Sequence, residues 1–127
     1  MTAATEPMLA LAERFFAAIE AGDLETIRSI YAPDARVWHN FDGIEQTVEE
    51  NLRVLKWMVR AVPGRRYDEV RRQVTPGGWV QQHVLRGTAP NGQPFEMPAC
   101  IVFTVAAGRV TRVDEYLDSA HAAVLRG

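Results

Sequence analysis

The second half of this chain is cut into four alternating apolar–polar segments by short turn signals, and that pattern limits the fold more than any other feature. Tyr67 to Thr75 ends at Pro76-Gly77-Gly78, and Trp79 to Thr88 at Pro90-Asn91-Gly92. Phe95 to Val105 ends at Ala107-Gly108, and Arg109 to Asp118 closes the run. Period-two segments separated by glycine-bearing turns predict an antiparallel meander. The first half has helical spacing instead. Met8, Leu11, Phe15, Phe16 and Ile19 recur at three or four positions up to Ala21-Gly22. Leu24, Ile27, Ile30 and Tyr31 follow an Asp23 cap and stop at Pro33. Val48, Leu52, Leu55, Met58, Val59 and Val62 trace what reads as the longest helix, ended by Pro63-Gly64. Arg36 to Asn40, before the Asp42-Gly43 turn, reads as a strand, and Ser119 as the cap of a short last helix. Helices first and antiparallel strands after predict an α+β fold, with helices covering one face of a curved sheet.

Length and charge narrow the function classes. A chain of 127 residues suits one domain, residues 1–127, with about two-thirds of its surface buried. Fourteen basic against sixteen acidic side chains give a net charge of −2, which is no electrostatic footprint for nucleic acid or an anionic membrane. Cys100 is the single cysteine, so no disulfide framework or cysteine-cluster metal site is expected, and it reads as a buried or interface thiol. No basic-then-apolar leader and no apolar run near ~20 residues is present, so a soluble, cytoplasmic protein is expected. His39, His83 and His121 lack metal-ligand spacing, and neither a metal nor a cofactor is expected. The Arg65-Arg66 and Arg71-Arg72 pairs read as exposed or subunit-facing surface, and Met1 to Thr5 as a frayed end.

Strand alternation sorts the polar side chains. Glu115 falls between Val113 and Leu117, opposite Arg112, Asp114, Tyr116 and Asp118. If the apolar face meets the helices, Glu115 is a carboxylate in an apolar stripe, raised toward neutrality unless a partner stabilises its charge. Gln81 and His83 lie between Trp79 and Leu85 in the same way, beside an apolar face of Phe95, Met97, Ala99, Ile101 and Phe103. Such groups form either a satisfied structural network or the polar points of a small-molecule cleft. Trp38 and His39 alternate, so one faces inward, and the apolar Trp38 is the one expected there.

The element order, the stretch FFAAIEAGDLETIRSIYAPDARV and the closing GRVTRVDEYLD resemble the SnoaL-like, nuclear transport factor 2-like superfamily over roughly Leu9 to Leu125. The resemblance implies a cone-shaped α+β roll, helices packed on the concave face of a curved, mostly antiparallel sheet, with a deep pocket between them. It also implies a homodimer through the outer sheet face, where Val80, Val84 and Tyr116 are expected. Trp38-His39-Asn40, Gln81-Gln82-His83, Glu115-Tyr116-Leu117-Asp118, the Asn91-Gly92 hairpin and Leu125-Arg126-Gly127 look like the limonene epoxide hydrolase branch. There Trp38 stands where that branch has its water-holding tyrosine, Asn40 matches its asparagine, and Gln81, His83 and Glu115 occupy its aspartate–arginine–aspartate relay. The ketosteroid isomerase pattern is broken, its oxyanion tyrosine falling on Phe15, its base near His39 and its second acid near Cys100. The SnoaL-like polyketide cyclase branch, with a pocket carboxylate and no metal, is compatible with Glu115 beside His83.

Together these readings predict cofactor-independent acid–base chemistry on a small hydrophobic ring metabolite, by isomerisation, cyclisation, dehydration, hydration or hydrolysis. Glu115 and His83 are the expected catalytic pair. Gln81 and Asn40 would orient an oxygen or a water. Trp38, Phe16, Ile19, Leu52, Leu55, Leu85, Met97, Ile101 and Leu117 would line the pocket. The alternative is a non-catalytic ligand-binding or dimerisation module of the same fold. A protein-transport adaptor is disfavoured, since no peptide groove is marked.

Overall fold

A computed structural model describes residues 5–125. Helices α1 (Thr5–Ala21) and α2 (Leu24–Ile30) lead into β1 (Tyr31–His39), a two-residue β2 (Glu45–Gln46) and α3 (Val48–Ala61). Strands β3 (Arg66–Thr75), β4 (Gly78–Thr88), β5 (Pro94–Ala106) and β6 (Arg109–Leu117) follow, with α4 (Ser119–Ala122) and a 3-10 turn at Ala123–Leu125 last. The reading of a frayed start falls outside the described residues except at Thr5, which opens α1. Of the Leu125-Arg126-Gly127 match, only Leu125 is described.

The strands make one sheet in the order β2-β1-β6-β5-β4-β3. All neighbours are antiparallel except β1 and β6, which run parallel and bring the first strand beside the last. This is the α+β architecture expected from the element order, with α1 and α3 across one face. Phe15 and Phe16 of α1 pack edge-on against Phe103, and Trp79 stacks on that ring at 4.1 Å. Gly22, at φ +75°, turns the chain out of α1, and Asp23 caps α2 by accepting from Thr26 N. Thr47 and Glu50 cap α3 reciprocally.

Several local expectations are corrected. At 17 residues α1 is longer than the 14-residue α3. Tyr31 begins β1 instead of ending α2, and Pro33 lies inside the strand, where the β1–β6 register is interrupted and no ladder N–H is required. Asp118, not Ser119, caps α4 by accepting from Ala120 N. Arg65 is buried rather than displayed. Its guanidinium donates to Ile19 O, Glu20 O, Val59 O and Val62 O, satisfying the carbonyl ends of α1 and α3 together. No helix among the described residues is long and apolar enough to cross a membrane.

Candidate active site

The helices stand off the sheet far enough to leave a cavity of about 170 Å³. An apolar cavity of ~150 Å³ accommodates a benzene ring, so this one holds a single ring with a substituent or a small fused pair. Phe16, Ile19, Leu55, Leu85, Met97, Ile101 and Leu117, expected as lining, are on its wall, as are His83 and Glu115. Leu52 is not: it is buried in the core beside Val48 and Val37. Phe41, Val54 and Trp57, each more than two-fifths exposed, carry the wall out to solvent.

Cross-strand register decides which polar groups meet. His39 pairs with Glu115, Glu115 with Ile101, Ile101 with Gln81, and Gln81 with Arg72, so these five form one row across the sheet. His83 belongs to the next inward row, level with Ala99 and Leu117. Glu115 therefore contacts its β1 neighbour: His39 Nε2 lies 2.8 Å from Glu115 Oε1, with both side chains mostly buried. Burial alone would lower the His39 pKa, but the Glu115 hydrogen bond and charge, with Asp42 further out, outweigh it and raise it above its ordinary value. With Oε1 on His39, Oε2 is the carboxylate oxygen left for the cavity that Glu115 lines.

The expected Glu115–His83 contact does not form. Strand β5 lies between their strands, placing the two backbones two strand spacings, roughly 10 Å, apart. His83 bonds through Nδ1 to Gln81 Nε2 at 2.7 Å, and Gln81 Oε1 accepts from Arg72 Nε at 2.5 Å. Burial outweighs the opposing Glu115 charge and, with a smaller push from the Arg72 charge, takes the His83 pKa down to about 4 rather than near its ordinary value. Gln81 is fully buried and off the cavity wall, so it orients His83 and not a ligand.

Trp38 and Asn40 are corrected as well. Val37 and His39 point to the helices and Trp38 to the outer face, where its ring meets Tyr116 edge-on at 5.4 Å. Asn40 extends the β1–β6 pairing, its N–H donating to Glu115 O and its side-chain oxygen accepting from Leu117 N. Arg36, on the Trp38 face, was the available signal: Ala35, Val37 and His39 alternate against Arg36 and Trp38. Also unforeseen on the wall are Tyr31, whose hydroxyl donates to Asn51 Oδ1 at 2.7 Å, and Tyr67, edge-on to His83 at 4.7 Å. Burial and the Glu115 charge push both tyrosine pKa values up, so both stay neutral donors. Among the described residues no cluster of three or more His, Cys, Asp or Glu side chains could hold a metal ion.

Known proteins resemble the chain as follows. The family model of the SnoaL-like domain matches residues 12–113. IdmH from Streptomyces antibioticus, a candidate polyketide cyclase, is 25% identical, with a TM-score of 0.79 over 93% of this chain and 97% of its own. A candidate polyketide cyclase from Xanthomonas campestris is 20% identical, with a TM-score of 0.80 over 94% and 97%. AclR from Streptomyces galilaeus, a candidate hydroxylase, is 15% identical, with a TM-score of 0.81 over 92% of each chain. No curated protein matches the sequence.

Proposed function

Since this chain belongs to the SnoaL-like domain family, of the nuclear transport factor 2-like superfamily, we propose that its cavity is the active site of a cofactor-independent acid–base enzyme. The substrate class is a small hydrophobic ring compound bearing a carbonyl or a related oxygen. The observation that carries this reading is the His39–Glu115 ion pair, 2.8 Å long, set into a mostly apolar wall. A charged pair so placed is costly to keep for stability alone, and it puts a carboxylate oxygen in a sheltered space beside a histidine whose proton is held firmly.

Glu115 Oε2 takes a proton from carbon next to the substrate carbonyl, and the C–H electron pair moves toward the carbonyl oxygen. Return of the proton at another carbon isomerises the ring compound. Attack of the enolate carbon on a second carbonyl of the same molecule forms the ring, and the resulting alkoxide takes the proton back from Glu115, the favoured outcome given that two of the structural neighbours are named as cyclases. His39, as imidazolium, supports the carboxylate and its orientation. The mostly apolar lining lowers the local dielectric, which strengthens both effects.

2-Indanone tests this directly. Wild type is expected to accelerate exchange of its ring CH₂ protons in D₂O, followed by NMR, and Glu115→Gln to abolish the acceleration. Exchange at the buffer rate with wild type, at saturating probe, overturns the reading. We further propose that the outer face bearing Trp38, Val80, Val84 and Tyr116 joins two copies. Tyr116 on that surface is 48% exposed. A monomer mass by light scattering at micromolar concentration overturns the dimer.

A further inference from the structure

Resting on that reading, we propose that His83 is a second catalytic residue: a neutral imidazole, fixed by Arg72 and Gln81 as the Nε2–H tautomer, that donates to the substrate oxygen while Glu115 handles the proton. Arginine has donors only. Arg72 Nε points at the Gln81 side chain 2.5 Å away, so the amide oxygen must face Arg72. That leaves the amide NH₂ facing His83 Nδ1 at 2.7 Å, and a nitrogen that accepts from an N–H carries no proton of its own. The ring proton is therefore on Nε2.

Nε2 is the atom that meets the cavity. His83 is 4% exposed and on the cavity wall. Among the described residues, the fully enclosed polar side-chain atoms without a partner are His39 Nδ1 and Trp79 Nε1. His83 Nε2 is not one of them, and with Nδ1 taken up by Gln81 it is the ring nitrogen left for the cavity that His83 lines. Phe16 of α1 and Tyr67 of β3 pack edge-on against the ring and fix its plane, with centroids at 5.5 and 4.7 Å. The charged or titratable groups around it are Arg72, Tyr67 and Glu115. Protonating Nδ1 would set it against the amide N–H, with the Arg72 charge behind, and this keeps the ring neutral. A neutral donor aimed into a mostly apolar cavity stabilises a developing enolate oxygen without competing for the proton in transfer. Gln81 and Arg72 are thus positioning residues.

Nitrogen-15 NMR of the His83 ring reads the tautomer without any ligand. Wild type is expected to show a protonated Nε2 and a bare Nδ1, unchanged from pH 5.5 to 8.5. Gln81→Leu and Arg72→Met should each give a tautomer mixture with a higher apparent pKa, and Arg72→Lys should restore the wild-type pattern. A protonated Nδ1 or titration near 6.5 in wild type overturns the lock, as does a pattern unmoved by both variants. For the donor role, 2-indanone is expected to bind wild type roughly three- to tenfold more tightly than indane, a preference lost in His83→Phe. Equal binding of the two by wild type overturns it. Absence of binding by either probe overturns the small-ring reading above, and with it the donor role, while the ring-nitrogen shifts still decide the lock.

Discussion

His39 and His83 open onto the same cavity from opposite halves of the sheet, yet their surroundings drive them to opposite states. His39 has a carboxylate on one ring nitrogen, and its pKa is raised although burial works against it. His83 has an amide N–H on one ring nitrogen and an arginine behind the amide, and burial takes its pKa down to about 4. Burial disfavours the charge in both, and the neighbours decide whether it prevails: the hydrogen-bonded Glu115 carboxylate overrides it at His39, whereas the more distant Glu115 charge does not at His83. In the proposed reaction the first serves as the charged partner of a base and the second as a neutral donor. That is the division of labour proton transfer next to a carbonyl requires.

The largest expected effect breaks the His39 half of this contrast. Glu115→Gln should cost about 10²–10⁴-fold in turnover of any substrate the cavity accepts. It should also lower the His39 pKa, because burial is then opposed only by the weaker Asp42 charge. Turnover within a fewfold of wild type, or a His39 pKa that does not move in an NMR titration, would separate the carboxylate from the chemistry.

Next in size is the effect of His83 on stability. The folded pKa of about 4 lies below the unfolded value of 6.5, so between them the unfolded chain binds a proton that the folded chain does not. Stability from this group is fully present above pH 6.5 and is lost as pH falls toward 4, by up to about 3 kcal/mol. His39 has the reverse sign: its contribution is present below its unfolded pKa and is lost as pH rises through the raised folded value. Urea unfolding from pH 4 to 9 should show the acid limb flattened in His83→Gln and retained in His39→Gln. An unchanged acid limb in His83→Gln would contradict the buried neutral state.

How much of this was legible beforehand follows from what strands encode. Alternation along one strand gave the inward faces of β4, β5 and β6, and with them Leu85, Met97, Ile101, Leu117 and the placement of Glu115 on the cavity wall. Alternation does not carry strand order. With β5 between β6 and β4, Glu115 and His83 share a face without touching, while the parallel β1 supplies His39 from 76 positions earlier in the chain. Trp38 was misplaced because its size and apolarity suggested the interior, although Arg36 two residues before it marks that face as the outer one. Arg65 was misread for a related reason: its partners are carbonyls at the ends of two helices, a cluster that exists only once α1 and α3 converge.

Gln81→Glu sharpens the contrast by giving His83 the kind of neighbour His39 has. The new carboxylate would accept from Arg72 on one side and from the His83 ring on the other, so the proton should move to Nδ1 and the His83 pKa should rise. The cavity-facing Nε2 would then lose its hydrogen in the neutral form, and preference for 2-indanone over indane should fall. If the tautomer stayed on Nε2, the account in which a hydrogen-bonded carboxylate overrides burial would fail at this site.

The smallest expected effect concerns the face turned away from the cavity. Trp38→Ala removes the edge-on contact with Tyr116 on the outer side of the sheet and leaves Val37 and His39 facing the helices. Because Trp38 and Asp114 pair across β1 and β6 one position before His39 and Glu115, the backbone ladder holding the ion pair is unaffected by loss of the indole. Turnover should stay within about twofold of wild type, since the indole lies on the face of β1 turned away from the cavity and its loss leaves no polar group unpaired. Association measured by light scattering should weaken, since the same substitution strips apolar area from the surface proposed to join two copies. A loss of turnover as large as that of Glu115→Gln, in a variant that still binds 2-indanone, would mean that the outer face communicates with the ion pair through β1. Inside and outside of the strand would then have to be treated as one site.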